Sequence, residues 1–163
     1  MESNLIKKTE KRYWLLKSEA SCYSIDDFAM DKKTRWTGIR NYQARNFMRD
    51  LMSVGDEFFF YHSSSDPTAI VGIGKISATA KPDLTAQDKK DEHYDPKSSD
   101  QNPIWYSPEV TFVKKFSNPI TLSQLKRENS LEGMVLLQTG SRLSVQPVSE
   151  KQFNFILKIS DSK

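Results

Sequence analysis

Arg35-Trp36-Thr37-Gly38-Ile39-Arg40-Asn41-Tyr42-Gln43-Ala44-Arg45-Asn46 crowds two arginine-flanked aromatics, two amides and a glycine into one turn and the start of a helix. Beyond it, Ala44, Phe47, Met48, Leu51 and Met52 recur at i, i+3, i+4, i+7 and i+8, the apolar stripe of a helix. Arg45 and Arg49 fall off that stripe, with Tyr42 and Asn46 near its edge. Trp36 and Gly38 precede the helix, where a turn brings them towards its N-terminus. Unpaired N–H groups there suit an anionic or electron-rich ligand. The residues admit two readings: a packing element with ordinary surface arginines, or the wall of a binding site.

Working outward, Tyr13–Lys17 reads as a buried strand, followed by a polar turn at Ser18, Glu19 and Ala20. Ser24 N-caps a helix with acidic residues in its first turn. Gly55 is placed to end the helix that follows Trp36. Glu57–His62 is apolar on both alternating faces, which predicts a strand in the middle of a sheet. After the turn cluster Ser63–Pro67, residues Ala69–Ile76 return as its hairpin partner, with Gly72 and Gly74 marking a bend or a close approach.

Residues 79–108 are polar and broken by Pro82, Pro96, Pro103 and Pro108. Loops of that length are uncommon in compact domains and are often functional. This one carries His93-Tyr94-Asp95-Pro96 and Trp105, either as a flap anchored on the core or as a ligand-binding wall. Downstream come a strand at Val110–Lys114, a turn at Asn118-Pro119 and a capping box at Thr121–Gln124. Strand-like pieces follow at 134–137 and 143–147. A second capping box, Ser149–Gln152, opens a helix with Phe153, Ile156 and Leu157 inward. The pattern predicts one mixed α/β domain over 13–160, after a flexible tail at 1–12. A curved, mostly antiparallel sheet forming a small β-barrel with short helices around it would use these pieces.

With 163 residues, 28% charged and 37% hydrophobic, the chain has the composition of an ordinary globular domain. No long apolar run is present, so neither a membrane span nor a signal peptide is expected, and no membrane partner. Cys22 is the only cysteine, which excludes an intramolecular disulfide, fits a reducing compartment and reads as a buried bystander thiol. The net charge of +3 does not by itself require nucleic acid, although it leaves room for a local basic patch. His62, His93 and Cys22 follow no metal-ligand spacing, and Gly72-Ile73-Gly74 lacks the third glycine and helix of a dinucleotide fingerprint. No cofactor, metal or catalytic residue is expected, and the chain reads as a non-enzyme. Binding has the better case. Trp36 and Trp105 could grip a flat ring, Asn41 and Ser18 read its edge, and Arg40, Arg45 and Arg49 meet flanking phosphates. A base flipped out of its stack would use all three.

Tyr13–Glu19, Trp36–Asn46, Phe59–Ser63, His93–Pro96 and Arg142–Pro147 together resemble, in this order, the EVE domain. The resemblance runs from about Tyr13 to Ile159 and implies a PUA-like fold, distantly related to the YTH domains that read methylated adenine. It implies a non-catalytic module recognising a modified nucleobase, notably modified cytosine in DNA, in an aromatic pocket. Carried onto this chain, the implied ligand-binding residues are Lys17, Ser18, Glu19, Trp36, Gly38, Asn41, Tyr42, Tyr61, His62, Tyr94 and Trp105. Arg40, Arg45 and Arg49 would lie on the nucleic-acid backbone. Ala20 and Thr37 stand where the family has a proline and an aspartate, the second change removing an acceptor near the pocket. The implied partner is DNA or RNA carrying a modified base, with effector activity supplied by protein partners. Two other classes stay open: a protein-interaction module using the long loop, and a nucleotide-processing enzyme with His62 or His93 as acid or base. Localisation follows the source, cytoplasmic in a bacterium and nuclear in a eukaryote. The absence of a basic targeting cluster favours the former.

Overall fold

The doubly apolar run becomes β3 (Glu57–Ser63), and its surroundings explain its composition. Phe58 and Phe60 enter a core with Trp14, Phe28, Trp36 and Met48, while Phe59 and Tyr61 enter a second with Leu15, Ile70, Phe116 and Phe153. Alternate side chains of one strand therefore fill two cores.

This is a computed structural model, and it describes residues 10–161 apart from Ser141. The other strands are β1 (Tyr13–Glu19), β2 (Lys33–Arg35), β4 (Ala69–Pro82), β5 (Tyr106–Thr121) and β6 (Val145–Val148). They form one sheet in the order β2-β5-β4-β3-β1-β6, antiparallel throughout except for the parallel pair β1 and β3. The sheet does not close, and β2 and β6 are its edges. Short helices flank it: α1 (Ile25–Asp31), α2 (Tyr42–Asn46), α3 (Leu122–Lys126) and α4 (Glu150–Asp161). Parallel neighbours need a crossover connection. The crossover from β1 to β3 carries α1, β2, the Trp36 turn and α2.

Each expected N-terminal cap forms. Ser24 Oγ accepts from the Asp27 N–H while the Asp27 carboxylate accepts from the Ser24 N–H. Thr121 with Gln124, and Ser149 with Gln152, repeat the arrangement. The predicted apolar stripe is modified. Helix α2 opens into a π-helical turn over Phe47–Leu51, which keeps Ala44, Met48 and Met52 in the core and leaves Leu51 39% exposed.

Other expectations shift for long-range reasons. Ser18 and Glu19 stay in β1 because pairing with β3 continues to Glu19 opposite Ser63. Gly55 does not end the helix, which stops at Leu51. Its φ of +99° serves a turn in which its N–H donates to Ile76 O. β4 and β5 extend through Pro82 and from Tyr106, so the long loop shrinks to 83–105. Asn118-Pro119 lies within β5, since the ladder resumes with Ile120 opposite Ile70. Val135–Leu137 is a 3-10 turn rather than a strand, its bonds running from Leu137 N–H to Met134 O and from Gln138 N–H to Val135 O. Cys22 is exposed, not buried, because it sits in the turn held by Glu19 O. Of the expected tail, residues 1–9 lie outside the described residues. Arg12 is held by Asp56, which takes its N–H at 3.0 Å and also accepts from Trp14 Nε1 at 3.0 Å.

Gly74 answers the close approach read from the sequence. A Cβ there would stand 2.5 Å from the Phe58 ring and 2.9 Å from that of Phe28. Gly74→Ala should therefore cost about 1–3 kcal/mol in urea unfolding through overpacking; a variant as stable as the parent would show that those rings yield freely.

Candidate functional site

Parallel pairing of β1 with β3 gathers five of the expected ligand residues. Lys17 lies opposite Tyr61, Ser18 opposite His62, and Glu19 follows at the same end. The Lys17 ammonium is 5.9 Å from the Tyr61 ring, and Ser18 Oγ donates to Tyr23 O at 2.6 Å. Burial lowers the pKa of Lys17 and raises that of Tyr61. His62 Nε2 accepts the N–H of Ile25, the first residue of α1, at 3.1 Å. The ring is thus neutral with its proton on Nδ1. Burial pushes its pKa down, helped by Lys115 and opposed by Asp26.

A second assembly docks the long loop onto the Trp36 turn. The Asp83 carboxylate is fully buried and accepts from Gly38 N–H at 2.9 Å, Arg40 Nη1 at 3.1 Å, Thr85 N–H at 2.9 Å and Thr85 Oγ1 at 2.7 Å. Burial alone would raise its pKa; these donors outweigh it and hold the carboxyl below the usual range. Arg40 also donates to His93 O and Thr85 Oγ1. Gly38 has φ +85°, and a Cβ on it would meet the His93 ring at 3.0 Å. The glycine and arginine of the Trp36 stretch therefore hold a loop in place. Tyr94 lies half-buried in that loop, its N–H on Asp91 O.

The two tryptophans have separate surroundings. Trp36 is 6% exposed and sits edge-on to Tyr23, Phe58 and Phe60, in the core. Trp105 is 4% exposed, donates from Nε1 to Asp95 Oδ2 at 2.7 Å, and carries the Tyr42 ring at a centroid distance of 4.9 Å. That bond is the main reason the Asp95 carboxyl titrates below its ordinary value. The arginines are also engaged within the chain. Arg40 and Arg45 lie over Trp105 at 5.6 and 5.9 Å. Arg45 donates to Ile104 O, and Arg49 pairs with Asp50 at 2.8 Å. At the N-terminus of α2, Asn41 Oδ1 accepts from Ala44 N–H, and in the turn before it Gly38 N–H goes to Asp83.

An open cleft of about 480 Å³ lies beside α2, lined by Asn41, Gln43 and Phe47 on one side and Val135, Gln138, Arg142, Leu143 and Pro147 on the other. Lys17 N–H donates to Ser144 O, tying the strand end to the segment that forms this second wall. Behind it, Phe47 and Leu143 pack on the core cluster that contains Trp36. Helix α2 and its π-helical extension thus present three faces. Ala44 and Met48 go to the core, Gln43 and Phe47 to the cleft, and Tyr42, Arg45 and Arg49 to the solvent side. Among the described residues no three His, Cys, Asp or Glu side chains gather into a metal-ligand set.

Sequence reasoning missed Asp83, Gln43, Gln138 and Arg142 as site residues. Arg142 was within reach, since it opens one of the recognised blocks. Asp83 had no signal, because its partner Arg40 is 43 positions away.

Residues 12–159 match the EVE domain. The chain belongs to the EVE domain family. This EVE domain is 40% identical to rat (Rattus norvegicus) thymocyte nuclear protein 1, covering 96% of the chain and 76% of that protein. A crystal structure from Pseudomonas syringae matches at 48% identity and TM-score 0.88, over 91% of this chain and 99% of the other. The crystal structure of human THYN1 protein in complex with 5-methylcytosine-containing DNA matches at 37% identity and TM-score 0.87, over 94% and 99%. No helix among the described residues of this EVE domain is long and apolar enough to cross a membrane.

Arg40→Ala removes one charged partner from a buried carboxylate and should cost about 2–3 kcal/mol in urea unfolding. Asp83 contributes its stability above the ordinary carboxylate pKa and loses it as pH falls through the lowered folded value, so the gap between variant and parent should narrow in acid. A loss that stays constant into acid would refute the Asp83 assignment.

His62 contributes stability that is complete above its ordinary pKa of 6.5 and fades as pH falls towards the lowered folded value. An NMR titration of its ring should find a midpoint below 6.5. A midpoint at or above that value would mean that the Ile25 N–H does not hold the ring neutral.

Proposed function

We propose that this chain is a non-catalytic, DNA-binding reader of a modified nucleobase, of the class of 5-methylcytosine, and that the cleft beside α2 receives the base. The observation that carries the reading is its likeness, over 94% of the chain, to the human protein in complex with 5-methylcytosine-containing DNA. The chemistry of the cleft supports it. About 480 Å³ falls within the ~300–1,000 Å³ range of small-molecule pockets. The carboxamides of Asn41, Gln43 and Gln138 supply donors and acceptors for a base edge, and Arg142 supplies a guanidinium for a phosphate. Phe47 is the aromatic wall, with Trp36 behind it in the same core, and Leu143 and Pro147 give a methyl group apolar surroundings.

In this reading Trp36 shapes the pocket from within, and Gly38 and Arg40 act by fixing the loop that carries Tyr94 and Trp105. Lys17, Ser18, Glu19 and His62 form the strand-end rim, joined to the cleft wall through Ser144, while Tyr61 is buried in the second core. Arg45 and Arg49 face the solvent side of the same helix, where a nucleic-acid backbone would pass.

Fluorescence anisotropy with oligonucleotides carrying one 5-methylcytosine, or cytosine in its place, tests the reading across a range of salt. The methyl group should be worth about tenfold in affinity. Arg142→Ala should weaken both probes alike and reduce the salt slope by about one. Gln43→Ala should shrink the difference between them. Equal affinity for the two probes, with binding that only follows salt, would leave non-specific electrostatics and sink the base-reading function.

A further inference from the structure

Tyr42 is the only exposed aromatic side chain among the described residues, with 58% of its surface in solvent. It is held rather than loose. Trp105 backs the ring at 4.9 Å, and Trp105 is itself fixed by Asp95 at 2.7 Å. The Arg45 guanidinium lies 4.9 Å from the Tyr42 centroid and is steadied by Ile104 O and by two bonds to Asn46 Oδ1. Among the described residues Arg45 makes no ion pair within 4.0 Å, so its charge is not directly neutralised. Asn41 and Gln43, on either side of Tyr42 in the chain, both line the cleft. A held, exposed ring with a cation beside it therefore projects from the solvent side of the helix whose residues Asn41 and Gln43 line the cleft.

A base enters such a pocket from a duplex only by leaving its stack, and the gap it leaves costs stacking energy. An aromatic ring recovers part of that cost, because every neighbouring base offers a π face. We propose that Tyr42 offers its open face as a stacking platform to the base left unstacked when its neighbour is extruded from duplex DNA, with Arg45 on the adjacent phosphate. The inference rests on the base-reading function above and adds to it: the protein opens duplexes, and Tyr42 is the residue that stacks at the opening. The same exposed ring could instead be a contact for a protein partner, and the experiment separates the two.

Wild type, Tyr42→Ala and Tyr42→Phe are titrated against a duplex with one 5-methylcytosine, and against the modified strand alone. Because the side chain is exposed, Tyr42→Ala should keep the parent's circular dichroism spectrum. It should bind the duplex about tenfold more weakly while binding the single strand as well as wild type does, since no gap forms there. Tyr42→Phe, which keeps the ring, should match wild type on both. Unaltered duplex affinity in Tyr42→Ala overturns the inference, as does an equal loss on duplex and single strand; the former is the outcome for a protein-docking residue. In either case a surviving wild-type preference for the modified single strand leaves base reading intact. Absence of that preference would sink base reading, and this inference with it.

Discussion

A parallel pair of strands in the middle of an otherwise antiparallel sheet is the constraint on which the rest of this molecule depends. β1 and β3 lie side by side in the same direction, so the chain leaving Glu19 cannot turn directly into Glu57. It crosses over, carrying α1, the Trp36 turn and α2 over one face of the sheet and adding β2 at its edge beside β5. Burying that connection gives Phe58 and Phe60 their partners, while α4 covers Phe59 on the other face through Phe153, stacked at 4.1 Å. The strand-end residues and the helix beside the cleft are thus positioned by one topological requirement.

Helix α2 shows how little chain such a site needs. Five α-helical residues and a π-helical turn send side chains to the core, to the cleft and to solvent. The wider turn rotates Leu51 outward while Met48 and Met52 remain inside. The loop of residues 83–105 complements it. Asp83, buried and bonded to Gly38 and Arg40, is the latch, and Trp105 brings the loop's far end beneath Tyr42. Residues that look like ligand contacts in the sequence, Gly38 and Arg40 above all, are occupied in building the surface that ligand contacts would use.

Much of the architecture was legible without coordinates. The Ser24 cap, the two capping boxes at Thr121–Gln124 and Ser149–Gln152, the doubly buried Glu57–His62 strand and the crowded Gly74 follow from local rules, each decided within a few residues or by side-chain alternation. Extrapolation failed where the deciding partner was distant. Asn118-Pro119 reads as a turn until Ile70 is known to pair with Ile120. Gly55 reads as a helix terminator until Ile76 O is known to take its N–H. At the site, the ordered blocks carried the family, but not the burial of Trp36, nor the internal partners of the arginines.

The amino-acid order by itself determined the helix caps, the apolar periodicities, the central strand and the family, because these are local or patterned properties of the chain. Tertiary structure decided which polar groups line the open cleft and which face each other. Asp83 and Arg40 are 43 positions apart, and a hydrogen-bond partner at that separation is chosen by the crossover and the loop fold, not by the residues next to it.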